Sequence, residues 1–325
     1  MKRPVLMSND VFDVVRFRQR TQVEREAAWL AQRGLGVGGS DMSTILGVNK
    51  YQTPYSLWLE KTGRAEHEDI SERWPVIKGN VLEGELRRWF QRRHPDMSLT
   101  DGTDMSLISK AHPCMRASLD GVIWDEDRGF GVLECKTASA YRASDWHADD
   151  GNLKAPDYYM AQVTHYLAVT GWSYGCFVAD IGESEPVEVW FERDEDDIKA
   201  VIDAAESFWG FVQRDEPPEL TGADVDALYP QDDGDVIRVE SSDGPEGFDG
   251  LAAAYRQASD EIRALRTVQA DIAGKLKTLV SDHKGVESDA WKATYATTHY
   301  KESVRKAFDA RVLRVSRVKE RKSNG

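Results

Sequence analysis

The segment ASLDGVIWDEDRGFGVLECKTASA, residues 117–140, constrains the fold more than any other stretch of the chain. Two apolar runs flank the polar, glycine-containing turn DEDRG, a pattern that predicts two strands, near 115–124 and 130–136. Asp120 closes a short apolar stretch in the first, and Glu134-Cys135-Lys136 ends the second. Side chains alternate along a strand, so Glu134 and Lys136 share one face and Cys135 points to the other. Hairpin pairing would bring Asp120 beside them. Carboxylates forced together raise one another's pKa unless a cation intervenes. Oxygen ligands of this kind suit Mg²⁺ or Mn²⁺. Such an ion lowers the pKa of the water it binds, and Lys136 is placed to orient or help deprotonate a water that attacks phosphorus.

A third acid comes from an earlier helix. Across PVIKGNVLEGELRRWFQRR, residues 75–93, Val76, Gly79, Glu83, Leu86 and Phe90 fall on one helical stripe, which turns Glu83 inward. A buried carboxylate without a partner is costly, so Glu83 also calls for a cation. An isolated E-x-K matches many solvent-facing hairpins. Its combination with two further inward acids is what gives it weight.

The remaining pattern is mixed α/β. TQVEREAAWLAQR, residues 21–33, has the S/T-x-x-E spacing of a capping box at Thr21 and Glu24, with Gly34 as its stop. GLGVGGSDMSTILG delivers Ser40 and Asp41 to the start of a short helix that Gly47 ends. In TPYSLWLEKTG, Thr53 caps, Pro54 takes the first helical position and Gly63 terminates. DYYMAQVTHYLAVT, residues 157–170, forms an amphipathic helix ending at Gly171, with Tyr159, Gln162, Tyr166 and Thr170 close to one face. Strands near 174–181 and 186–192 and a helix near 195–213 follow. Residues 216–250 read as an acidic linker or irregular segment, dividing a domain over 1–215 from a C-terminal extension over 251–325. That extension carries apolar positions at helical spacing from Leu251 to Leu279, a long helix or helical hairpin, then a strand in DAWKATYATTH and a basic end. Docking onto the preceding domain, an oligomer contact and partner binding are all open to it.

At 325 residues the chain has room for one large domain or two ordinary ones. Hydrophobic residues at 41% and ten tryptophans exclude a disordered polymer. The net charge of −14 argues at first against a nucleic-acid partner, but a locally basic cleft or a bound metal ion would neutralise phosphate in an acidic protein. Three cysteines without CxxC spacing indicate buried thiols rather than a disulfide framework or zinc site. The absence of an apolar run of spanning length, and of a signal-peptide pattern at the start, leads us to expect a cytoplasmic protein with no membrane partner.

Taken in order, the blocks RGLGVGGSDMSTILGVNKYQTPYSLWLEKTG, GNVLEGE, ASLDGVIWDEDRGFGVLECK and YYMAQVTHYLAVTG resemble the PD-(D/E)XK nuclease superfamily. More narrowly, they resemble the phage lambda-type exonucleases of the YqaJ-like viral recombinase family, over about residues 20–215. The resemblance implies a restriction-endonuclease-like α/β (α+β) core, a central mixed β-sheet flanked by helices, here with a mostly helical C-terminal extension. It implies a two-metal, Mg²⁺- or Mn²⁺-dependent deoxyribonuclease that digests double-stranded DNA ends from the 5′ side and leaves 3′ overhangs for recombination. Asp120, Glu134 and the backbone carbonyl of Cys135 would bind metal, Glu83 would reach a metal directly or through water, and Lys136 would activate water. A 5′-phosphate pocket is carried onto Arg33, Ser40, Ser118 and Gln162. The first motif departs from the Pro-Asp form by reading Ser-Leu-Asp. A single-strand annealing protein and further copies of the chain are the partners implied.

The residues support the pocket independently through Ser40 at a helix start behind glycines and through the planar fork of Arg33. The plainer readings are a helix cap for Ser40 and a hydrogen-bonded helix edge for Gln162. His112 and His165 read as structural, and Trp58, Trp89 and Trp209 as core. A PD-(D/E)XK endonuclease and a non-catalytic DNA-binding subunit are the competing readings.

Overall fold

The computed structural model describes residues 5–66, 69–148, 150–182, 185–241, 244, 247–299 and 313–315. The chain divides into two compact units, Met1–Val225 and Asp226–Gly325. Each is described by itself.

The first unit is built around two sheets. Strands β1 (Phe12–Arg16), β2 (Val37–Gly38), β4 (Met105–Ser109) and β5 (Met115–Ala117) form one, in the order β1-β4-β5-β2. The other is central and mixed, with β3 (Ser98–Asp101), β6 (Gly121–Asp125), β7 (Gly129–Thr137), β8 (Tyr174–Asp180) and β9 (Val187–Glu192) in the order β3-β6-β7-β8-β9. Only β7 and β8 run parallel within it. A parallel pair needs a long crossover, which contains helix α5 (Asp157–Thr170), closed by Gly171 at φ 71°.

Helices cover both faces of the central sheet, which explains why β7 reads as a nearly unbroken apolar run before its polar end. On one face α4 (Trp74–Arg93) packs Leu86 and Phe90 against Ile123, Leu133, Tyr174 and Val178. On the other, Val132 and Phe177 join a larger core with Val163 and Leu167 of α5, backed by Val201 and Phe208 of α6 (Glu195–Arg214). Three helices precede α4. In α1 (Gln22–Gly34) the Thr21–Glu24 capping box is present, while Gly34 is the last helical residue. Gly47, at φ 71°, follows α2 (Gly39–Ile45), and in α3 (Pro54–Lys61) the Thr53 side chain accepts from Ser56 N–H.

Two expectations change. The strand expected over 115–124 is two strands in different sheets, parted at 118–120. Burial alternates unbroken through Met115, Ala117, Leu119 and Gly121, so the pattern reports the face correctly and says nothing of the change in pairing partner. Asp120 therefore stands immediately ahead of β6. The stretch expected to be irregular contains α7 (Gly222–Leu228), anchored by the buried carboxylate of Asp224, which accepts from Thr221 N–H at 2.8 Å and from the Thr53 hydroxyl.

The second unit contains α8 (Phe248–Val280), one continuous helix of 33 residues, and a hairpin of β10 (Gly285–Glu287) with β11 (Lys292–Thr294). The basic C-terminal end lies outside the described residues, apart from 313–315. No described helix is long and apolar enough to cross a membrane. Trp58 is buried and Trp89 and Trp209 pack against the cores. Cys176 is buried, whereas Cys114 and Cys135 are half-buried free thiols.

Candidate active site

Antiparallel pairing of β6 with β7 starts at Gly121 opposite Leu133, so β7 from Glu134 onward has lost its neighbour on that side. Asp120 fills the gap, and its Oδ2 accepts from the Cys135 N–H at 2.8 Å. A residue's N–H and C=O point to the same side of an extended strand, so the Cys135 carbonyl also faces this opening. Glu134 and Lys136 project toward α5, and Cys135 toward α4, where its thiol approaches the Glu83 carbonyl at 3.8 Å. The sequence's expectation for the two faces of this strand matches that arrangement.

Each charged group has a defined neighbour. Lys136 Nζ donates to Glu134 Oε1 at 2.8 Å and to Gln162 Oε1 at 2.9 Å. The Gln162 amide in turn donates to Glu134 Oε1 at 2.6 Å and to the Tyr166 hydroxyl at 2.8 Å. Glu83 is held by Arg87, one helical turn on, whose guanidinium also donates to the Asp120 carbonyl at 2.8 Å and to Asp101 at 3.0 Å. Arg87 and Asp101 escaped the sequence reading. The i,i+4 spacing of Glu83 and Arg87 was the available signal for the first.

Negative charge outweighs positive here. Burial and the neighbouring Asp120 carboxylate push Glu134 up to about 8 and Glu83 up to about 6. Burial likewise raises Asp120, against the pull of Lys136 and the Cys135 N–H. Burial works against the Lys136 ammonium, but Glu134 and Asp120 outweigh it and hold the lysine above its ordinary range. Glu134 is only 2% exposed, and its Oε2 has no hydrogen-bond partner among the described residues. A buried oxygen left unpaired costs roughly 1–3 kcal/mol. Three crowded carboxylates with a spare buried oxygen form a donor set that suits a hard divalent cation. No three His, Cys, Asp or Glu side chains among the described residues form a ready-made metal cage. Lys136 and Arg87 occupy two of the acids instead.

Of the four residues assigned to a phosphate pocket, three form a neighbouring group. Arg33 donates to Ser40 Oγ at 2.9 Å and lies over the Trp29 ring, and Trp29 Nε1 donates to Ser118 Oγ at 3.0 Å. Gln162 instead serves the Glu134–Lys136 pair, as above. The two groups adjoin through Gly39, where a Cβ would stand 2.4 Å from the Tyr166 ring and 3.0 Å from the Gln162 carbonyl oxygen. Ser40 is the second helical residue rather than a cap. The helix start is occupied by Asp41, whose Oδ2 accepts from Gly38 N–H at 2.9 Å and from Lys61 at 2.7 Å. Burial raises the Asp41 pKa, but Lys61 and Arg33 overcome it and hold the acid below the usual range. His165 is buried with Nε2 at 3.0 Å from the Arg116 carbonyl, and His112 pairs with Glu206 at 2.7 Å, both apart from the acids.

Comparison with known proteins places the chain in a family. Residues 28–173 match the model of the YqaJ-like viral recombinase domain. The uncharacterized protein YqaJ of Bacillus subtilis (strain 168) is 30% identical over 265 residues, covering 81% of this chain and 78% of that protein. Among solved structures, an alkaline exonuclease from Laribacter hongkongensis superposes with a TM-score of 0.46 at 17% identity, covering 58% of this chain and 93% of that one. A phage-related exonuclease from Haemophilus somnus 129PT gives 0.42 at 17% identity, covering 56% and 96%. On the strength of the domain match and the long Bacillus alignment, the chain belongs to the YqaJ-like viral recombinase family.

Proposed function

We propose that the protein is a divalent-metal-dependent nuclease, specifically a 5′-to-3′ exonuclease of double-stranded DNA that works in the cytoplasm and leaves 3′ overhangs for phage-type recombination. The observation that carries this reading is the meeting of Glu83, Asp120, Glu134 and Lys136 at the open end of β6 and β7, with Glu134 Oε2 buried and without a partner among the described residues. Family membership supports it.

Asp120, Glu134 and the Cys135 carbonyl would hold Mg²⁺ or Mn²⁺, with Glu83 completing the set directly or through water. The cation supplies Lewis acidity toward the scissile phosphate and a lowered pKa for water. The Lys136 ammonium orients the attacking water and faces charge that develops on the phosphate oxygens. Its bonds to Glu134 and Gln162 fix its position. Arg87 holds Glu83 and the Asp120 main chain in register. As the new P–O bond forms, the bond to the neighbouring nucleotide's 3′ oxygen breaks and that oxygen leaves as a hydroxyl. Arg33, Ser40 and Ser118, with Gln162 at the junction, would receive the terminal 5′ phosphate, Arg33 through two parallel N–H donors. A single-strand annealing protein is the natural recipient of the 3′ strand.

The test compares linear with supercoiled double-stranded DNA, in Mg²⁺ or EDTA, for the wild type and Asp120→Ala. The reading expects loss of linear DNA alone, requiring both metal and Asp120. Cutting of closed circles would replace it with an endonuclease, and no cutting under any metal would replace it with a binding subunit.

A further inference from the structure

The ion pair of Lys61 with Asp41 adjoins the phosphate pocket and has no part in the chemistry above. Lys61 is the last residue of α3, and its side chain is only 7% exposed. Its Nζ lies 2.7 Å from Asp41 Oδ2 and donates to the Arg33 carbonyl at 3.3 Å. A buried ammonium has to be paired, and Asp41 pairs it. Lys61 is placed too deep to meet a DNA end itself, yet it touches both the main chain from which Arg33 springs and the acid beside it.

The distances show what this does to Arg33. The two cations compete for one carboxylate. Lys61 and the Gly38 N–H hold Asp41 Oδ2 at 2.7 and 2.9 Å, whereas Arg33 Nη2 stays 3.4 Å from Oδ1 and makes its shorter bond, 2.9 Å, to the Ser40 hydroxyl. A strong guanidinium–carboxylate bond measures about 2.7–2.9 Å and is frequently formed through two parallel N–H donors. The Arg33–Asp41 contact is neither, since the hydrogen bonds of Arg33 among the described residues all run through Nη2. The Arg33 side chain remains 29% exposed and lies over the Trp29 ring, whose Nε1 donates to Ser118. Its planar fork is thus presented beside the Ser40 and Ser118 hydroxyls and is not consumed by the acid.

Charge leads to the same place. Two cations against one acid leave a positive charge over for a phosphate. Without Lys61, a buried and uncompensated Asp41 carboxylate would draw the Arg33 guanidinium into a two-point bond, and a phosphate would meet a neutral pair. We propose that Lys61 sets the selectivity for a 5′-phosphorylated end, as a positioning residue that occupies Asp41 and so keeps the Arg33 fork free for the phosphate. This inference rests on the phosphate-pocket reading of Arg33, Ser40 and Ser118.

The test measures, by fluorescence anisotropy, binding of the full chain in EDTA to a short DNA duplex with 5′-phosphate or 5′-hydroxyl ends, and so requires no cleavage. The wild type binds the phosphorylated duplex more tightly. Lys61→Met lowers that preference about tenfold, the worth of one charge-assisted contact. Adding Asp41→Asn to Lys61→Met removes the captor and restores the preference, and adding Arg33→Ala to Lys61→Met gives no more loss than Arg33→Ala alone. An ion pair that only anchors α3 would weaken both ends equally and would not be rescued by Asp41→Asn. A wild type that does not distinguish the two ends would overturn the pocket reading and this inference with it. A preference that Arg33→Ala abolishes but Lys61→Met keeps would leave the pocket standing and overturn the inference. Loss of the preference in the Lys61→Met, Asp41→Asn double variant, which leaves neither partner of the pair charged, would overturn it on its own.

Discussion

Two carboxylates in the first unit are buried to nearly the same degree, Asp41 at 3% exposure and Glu134 at 2%, and their surroundings are opposite. Asp41 is met by Lys61, Arg33 and the Gly38 N–H, and its pKa falls. Glu134 has one oxygen shared between Lys136 and Gln162, the other without a partner among the described residues, two acids nearby, and a pKa pushed up to about 8. Burial alone therefore does not set the charge state of these two acids. The distinction is whether the protein supplies enough positive charge itself. Asp41 fixes α2 to α3 and α1, whereas Glu134 lies among acids that Lys136 and Arg87 only partly offset.

That contrast can be broken by substitution. Glu134→Gln, Asp120→Ala or Lys136→Ala should each lower the cleavage of linear DNA by at least about a thousandfold, several kcal/mol of lost charge stabilisation, with circular dichroism unchanged. Undiminished turnover would remove that residue from the mechanism. Asp41→Asn should instead unfold the protein more easily, by about 3–5 kcal/mol in a denaturant titration, because it strands the buried Lys61. A loss below 1 kcal/mol would show that Lys61 finds another partner or water.

The pH dependence of stability sharpens the same point. In EDTA, the raised pKa of Glu134 means that the folded state holds its proton more tightly than the unfolded chain. Its contribution is full below the unfolded pKa of 4.5 and is lost as pH rises through about 8. Glu134→Gln should flatten that decline. His165 acts in the other direction. Burial lowers its pKa from 6.5 to about 4, so stability is full above 6.5 and falls by about 3 kcal/mol as pH drops through that window. Urea midpoints across the range, in wild type and in Glu134→Gln, separate the two. The smallest expected effect is at Arg33. Its replacement by Ala should slow cleavage of 5′-phosphorylated ends about tenfold relative to 5′-hydroxyl ends, the loss of one charge-assisted contact. Equal slowing of both would remove Arg33 from the pocket.

Much of this frame was legible in the sequence because local chemistry decides it. Thr21 with Glu24, Thr53 with Pro54, and Gly171 fix their helix ends through backbone hydrogen bonds and φ, which short windows record. The faces of Glu134, Cys135 and Lys136 follow from strand alternation alone. The break at 118–120 did not show, since burial alternation runs through it while the hydrogen-bonding partner changes. Arg87 and Asp101 were missed because their bonds to Glu83 and Asp120 join three elements brought together only by the fold. Asp224 was missed inside an acidic stretch, although Thr221 three residues earlier has the spacing of a capped helix start. Single-unit periodicity gave α8 its stripe but left one helix and a hairpin indistinguishable.

On the proposed function, a divalent metal ion would complete the site of Glu83, Asp120 and Glu134. The most direct test titrates Mn²⁺ into the metal-stripped full chain at pH 8 and follows the melting temperature of wild type, Glu134→Gln and Asp120→Ala. A saturable rise in the wild type that both variants lose is the predicted result. An equal rise in all three, or none in the wild type, would contradict it.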